Sequence, residues 1–215
     1  MPESTVFLPA DYPNQLGYLQ LSAGDIVSQI ENYHLVFPQV RDRRVEWGIH
    51  FPPFINAFYN FVHQNKRIPT QEEYFQFYIG VNQSFFTSGR FEQGIYQGLQ
   101  ARLNRTYPSL VRDIHFNKLL EENNRGYEIV YNLNLDLAFD IDAMLIKDGK
   151  FWAACLYTQT RRGNIARGKK VYRHTRFDNV QYVEFPVELR DDKKVGEFFL
   201  YGEAELNELF NRIER

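Results

Sequence analysis

The sequence predicts an α+β protein, an N-terminal helical part followed by a mixed β-sheet flanked by helices, and three observations predict it. Apolar residues recur at helical spacing from about Ser22 to Asn124. From Tyr127 the period changes to two, with Tyr127, Ile129, Tyr131, Leu133 and Leu135 alternating with polar residues as in a half-buried strand. Lys147-Asp148-Gly149-Lys150 then supplies a tight hairpin turn, because Asp-Gly readily adopts the positive φ angles that a two-residue turn demands. Residues 1–108 are expected to form the helical part and residues 109–215 the sheet-containing core. Since no Pro-, Gly- or Ser-rich stretch separates them, they are expected to make one compact unit.

Helix starts are marked by Ser22 ahead of Asp25, by Pro52-Pro53, and by Thr70-Gln71-Glu72-Glu73, which has capping-box spacing. Phe54, Phe58, Phe61 and Val62, then Tyr74, Phe77, Tyr78 and Val81, repeat at helical intervals and read as core stripes. Residues 90–124 read as two helices broken at Tyr107-Pro108, since proline suits a first helical turn. The strand from Tyr127 is followed by two more through Thr160, then by a basic, helical stretch. Strand-like Gln181–Leu189 and Gly196–Tyr201 come next, and the tail from Glu203 to Arg215 is a helix with Ala204, Leu206, Leu209 and Ile213 as its apolar side.

Composition narrows the function classes. Of the 215 residues, 44% are hydrophobic and 16% aromatic, which is enough apolar surface for a sizeable core. The net charge of -2 argues against a nucleic-acid coat protein, although a local basic patch binds phosphate whatever the total. A single cysteine, Cys155, fits a reducing compartment, and a cytoplasmic location is expected. The first residues have neither a basic nor an apolar signal region, and no stretch approaches the ~18 apolar residues that span a bilayer, so no membrane partner is expected. No Walker-type loop, Gly-x-Ser-x-Gly or dinucleotide fingerprint is present. His34, His50, His63, His115 and His174 include no close pair at zinc-ligand spacing. Cys155 reads as a small strand hydrophobe, with nucleophile beside His115 as the sharper alternative.

The hairpin turn sets a register. Lys147 should pair with Lys150, Met144 with Ala153, Asp142 with Cys155 and Asp140 with Tyr157. That puts Asp140, Asp142, Cys155, Tyr157 and Gln159 on one face, continued toward the turn by Met144, Ile146, Phe151 and Ala153. Ile141, Ala143, Leu145, Trp152, Ala154 and Leu156 form the other, core face. Directly after these strands come Arg161, Arg162, Arg167, Lys169, Lys170, Arg173 and Arg176. No acid interrupts these seven, which therefore lack local ion-pair partners and suit phosphate contact; a solvated helix is the alternative. Tyr157 and Tyr172 are placed to pack or to stack on bases.

From about Ser109 to Tyr201 the chain resembles the PD-(D/E)XK nuclease superfamily, whose core is a helix, a three-stranded meander, a further helix and a strand. The resemblance implies a restriction-endonuclease-like core that binds nucleic acid, DNA above RNA, and a Mg²⁺ or Mn²⁺ site if the protein is active. In that family a second-strand aspartate and a third-strand Glu-x-Lys hold the metal and steady the attacking water. Asp142 matches the aspartate, and Glu121 or Glu122 matches the helix carboxylate of some members. At the Glu-x-Lys positions this chain has Cys155 and Tyr157, neither of which replaces a hard oxygen ligand or a cation. Three readings follow: a dead site in a nucleic-acid-binding or scaffolding domain, a metal site rebuilt from Asp140, Asp142 and Glu121 with Lys169 or Lys170 reaching in, or aspartates that are merely solvated. The expected function is a nucleic-acid-binding protein whose metal site is degraded or remodelled. The alternatives are a Mg-dependent DNA endonuclease, with Asp142, Glu121 and Lys170 as its catalytic set, and a protein-interaction subunit or homo-oligomer using the aromatic-rich helical half.

Overall fold

The computed structural model describes residues 5–89, 91–159 and 176–215. It is a mixed α and β structure with a four-stranded mixed sheet. Contacts divide the chain into a helical unit, Gly24–Arg112 with Val195–Phe198, and a sheet unit, Met1–Ala23 with Asp113–Lys194 and Phe199–Arg215.

In the helical unit the start signals lie where the helices begin. α1 spans Ala23–Ile30, α2 Phe54–Asn65 after Pro52-Pro53, α3 Gln71–Val81, and α4 Gln83–Gly89. The Thr70 hydroxyl accepts from the Glu73 backbone N–H, and the Glu73 carboxylate accepts from the Thr70 N–H, so the capping box forms as predicted. Phe58, Phe61, Val62, Tyr74 and Tyr78 are buried as their spacing predicts. Phe75 is buried where Phe77 was expected, and Val81 lies 48% exposed at the end of its helix.

The predicted break at Tyr107-Pro108 is overturned. α5 runs unbroken over Gln93–Glu122 with Pro108 inside it. A proline leaves the carbonyl four residues back without its helical donor, here that of Asn104. The Gln71 side-chain amide, buried at the start of α3, donates to that carbonyl at 3.1 Å. A substitute donor thus removes the main reason for ending the helix. Next to it the buried Tyr107 hydroxyl donates to the Pro69 carbonyl. Tyr107→Phe deletes that bond at a buried hydroxyl and is expected to cost about 1 kcal/mol. Urea unfolding measures it, and a variant as stable as the parent would mean the hydroxyl contributes nothing net.

In the sheet unit the strands are β1 Glu128–Val130, β2 Ala143–Lys147, β3 Lys150–Thr158 and β4 Val180–Val187, in spatial order β1-β2-β3-β4. β1, β2 and β3 form an antiparallel meander, and β4 runs parallel to β3. The hairpin register is as predicted, with Lys147 opposite Lys150 and Met144 opposite Ala153, and Asp148 and Gly149 both at positive φ. Short strands β5 Lys194–Val195 and β6 Phe198–Phe199 pair with each other, in place of one strand over 196–201. The final helix, α7, spans Glu203–Ile213.

Both ends of the predicted first strands are corrected. The alternation from Tyr127 to Leu135 yields only three strand residues, because the Asn132 side chain accepts from the Asn134 N–H and starts helix α6, Leu133–Phe139. That helix ends on Asp140 in a left-handed conformation at φ 57. The strand expected from Phe139 therefore begins at Ala143, and neither Asp140 nor Asp142 is a strand residue. Breaking the alternation also moves Ile141 across. It packs with Phe7, Val130, Leu135, Met144, Ala153 and Phe177, on the face predicted for the aspartates. That face is closed by aromatic contacts, Phe139 stacking on Phe177 at 4.3 Å and Phe7 meeting Phe151 edge-on at 5.2 Å. The opposite face is covered by α7, where Phe210 meets Tyr127 and Arg212 lies over Phe185.

β4 has a distinctive outer rim. The Gln159 N–H donates to the Val187 carbonyl, which turns Val187 toward β3 and Glu184 and Pro186 away from it. The outward Glu184 carbonyl accepts from the Arg212 guanidinium, and Pro186 has no N–H to offer.

Candidate functional site

The site lies in the sheet unit, where α6 hands over to β2. After the left-handed turn at Asp140, Asp142 donates its backbone N–H to the Ala154 carbonyl at 3.0 Å, and its carboxylate accepts the Leu156 N–H at 2.6 Å. Asp142 thus sits beside the middle of β3 by main-chain and side-chain bonds together, although the predicted ladder pairs Asp142–Cys155 and Asp140–Tyr157 do not form.

Burial is the first cause that raises the Asp142 carboxyl well above its usual range. The negative charges of Asp136, Asp113 and Asp140 then add to it, and the Leu156 N–H only partly opposes them. Two of those three acids escape sequence reasoning. Asp136 follows the alternation read as a strand and lies instead in α6, and Asp113 lies on α5, where Glu121 was the expected helix carboxylate. Glu121 instead makes an ion pair with Lys118, and Glu122 accepts the Ala23 N–H at 2.7 Å.

Cys155 stands in β3 directly opposite Glu184 of β4, a neighbour that only the parallel pairing reveals. Its buried thiol is pushed up first by burial and then by Asp142, Glu184 and Asp140. A thiol held protonated is a poor nucleophile, which favours the small-hydrophobe reading. His115 is buried, with Nδ1 unpaired among the described residues, and burial lowers its pKa to about 4. Arg176 is the basic-run residue that the structure describes; it pairs with Glu184 at 3.0 Å and lies over the Tyr182 ring at 4.6 Å. Arg161, Arg162, Arg167, Lys169, Lys170 and Arg173, with Tyr172 and His174, lie outside the described residues.

The donor chemistry at Asp142 is that of a hard divalent cation, since aspartates supply carboxylate oxygens. The geometry is not. Among the described residues no three His, Cys, Asp or Glu side chains stand where they could hold one metal ion, and one Asp142 oxygen is committed to Leu156. The described residues as placed therefore do not fit a Mg²⁺ or Mn²⁺ site. Among those residues no helix is long and apolar enough to cross a membrane.

Compared with protein-family models, curated proteins and solved structures, the chain matches none.

Proposed function

We propose that this is a nucleic-acid-binding protein built on a restriction-endonuclease-like core whose metal site has degraded. The observation that carries the reading is the position of Asp142. It stands at the head of β2 and is tied to β3, in a sheet where a helix precedes an antiparallel meander and the fourth strand runs parallel to the third. That order is what the resemblance implies; Asp142 stands just before β2 rather than on it, and Cys155 and Tyr157 are the β3 residues read at the Glu-x-Lys positions. The chain passes from β3 directly into Arg161, Arg162, Arg167, Lys169, Lys170 and Arg173, six bases with no acid among them, which suit phosphate. DNA is the proposed ligand.

Titration of fluorescently labelled DNA at salt rising from about 20 to 200 mM tests the reading. Tight binding at the low end should fade with a log–log slope near 0.9 per phosphate on duplex or 0.7 on single strands. No binding even at the lowest salt removes the proposal. A second reading, a Mg²⁺-dependent endonuclease, draws on the negative charges of Asp113, Asp136 and Asp140 that act on Asp142, although the described residues as placed form no metal site. Cleavage that needs Mn²⁺ and disappears in Asp142→Ala would install it in place of the first.

A further inference from the structure

The helical unit carries a second surface that its own core does not use. Between α1 and α2 the chain crosses as an irregular strap, and each of its inward groups is fastened. Leu35 and Val45 are buried. Val36 exchanges two hydrogen bonds with the Gln71 side chain, its N–H donating at 2.7 Å and its carbonyl accepting at 3.1 Å. The Arg105 guanidinium donates to the Val40 carbonyl at 3.1 Å, and Arg102 donates to that of Val45. Gly98 of α5 allows the close approach, since a methyl there would come within 3.0 Å of Asp42 and Val45. The strap is therefore held to a rigid support, which is how loops come to present binding groups.

Its outward groups are of two kinds. Phe37 is 48% exposed and Trp47 79% exposed, the latter on a five-residue π-helical turn, Arg44–Gly48, a rare conformation that recurs at functional sites. Arg41 and Arg43 are exposed and make no ion pair among the described residues. The acids interleaved with them are already neutralised, Asp42 by Arg44 at 2.8 Å and Glu46 by Arg105. Planar rings interleaved with unpaired guanidinia on a fixed backbone are complementary to unstacked bases joined by phosphates.

We infer that the strap from Val36 to Gly48 is a docking surface for single-stranded nucleic acid, with Trp47 and Phe37 stacking on bases and Arg41 and Arg43 meeting phosphates. This rests on the reading that the chain binds nucleic acid, and it adds a site apart from Asp142. Charge complementarity selects this occupant: an acidic peptide would satisfy the guanidinia but would leave the rings without planar partners.

The chain has two tryptophans, and Trp152 is only 8% exposed, so Trp47 reports on its own surroundings. Titrating the full chain with a 12-nucleotide oligo(dT) should quench Trp47 emission and leave Trp152 unchanged. Trp47→Ala, which removes a side chain in solvent and should leave the circular dichroism as it was, is expected to weaken binding about tenfold. The double variant Arg41→Gln/Arg43→Gln should reduce the salt slope by about 1.4. Labelled oligonucleotide that binds without quenching, and equally well to Trp47→Ala, overturns this surface and leaves the nucleic-acid reading standing. No binding of any oligonucleotide removes both. Equal quenching by duplex or by polyglutamate also overturns it, since the first needs no unstacked base and the second needs no base at all.

Discussion

Gln71→Leu is expected to destabilise the fold by about 2–3 kcal/mol while conserving the volume of the side chain. The amide that it removes satisfies three main-chain groups: the Val36 N–H, the Val36 carbonyl and the Asn104 carbonyl. Val36 is half exposed and can turn to water, but Asn104 is buried and its carbonyl has already lost its helical donor to Pro108. The cost concentrates on that oxygen. Gln71→Glu separates hydrogen bonding from shape, because a carboxylate keeps the acceptor for Val36 yet confronts two carbonyls with negative charge. It should be at least as damaging as leucine. Urea midpoints of both variants give the answer, and a loss under about 0.5 kcal/mol for leucine would show that Pro108 needs no substitute donor.

The opposite sign is expected at Asp142. Its carboxyl titrates higher in the folded chain than in the unfolded one, so the fold is penalised once pH rises past the ordinary value of 3.8, and the penalty grows until the folded group itself ionises. Wild-type stability should therefore fall as pH climbs above about 4, to the extent that this group dominates. Asp142→Asn keeps an oxygen for the Leu156 N–H and removes one negative charge from the company of Asp136, Asp113 and Asp140. At pH 7 it should be more stable than the parent by about 1–2 kcal/mol, in the range of single stabilising substitutions. At pH 3 the difference should vanish. Thermal melts across that range check both statements, and an asparagine variant less stable at pH 7 would mean that the carboxylate is neutralised by a cation in the native protein. Mn²⁺ that raises the melting temperature of the parent and not of the variant would identify that cation.

Local chemistry was readable where one residue decides the backbone. Asp148-Gly149 fixed the hairpin because those two residues take positive φ, and Thr70 with Glu73 fixed a helix start because both halves of the box lie four residues apart or fewer. Periodicity misled where a cap overrode it. Leu133 and Leu135 continue a strand pattern, yet Asn132 begins a helix there, and the shift carried Asp140 and Asp142 off the strand. Tertiary partners were out of reach of any local rule. Nothing near Pro108 announces that Gln71 repairs it, and nothing near Cys155 announces Glu184 across a parallel pairing. The aspartate at position 142 was found by motif, whereas the charges of Asp113 and Asp136 that act on it emerge only from the fold.

The last strand of the sheet bears on how the protein behaves at high concentration. An open strand rim is a template on which another chain can add, and growth by that route ends in aggregates. Among the described residues the outer rim of β4 lacks a donor at Pro186, and its Glu184 acceptor is occupied by Arg212. An incoming strand would find gaps in the ladder it must copy, so self-propagating polymerisation through this side of the molecule is blocked by the strand's own composition.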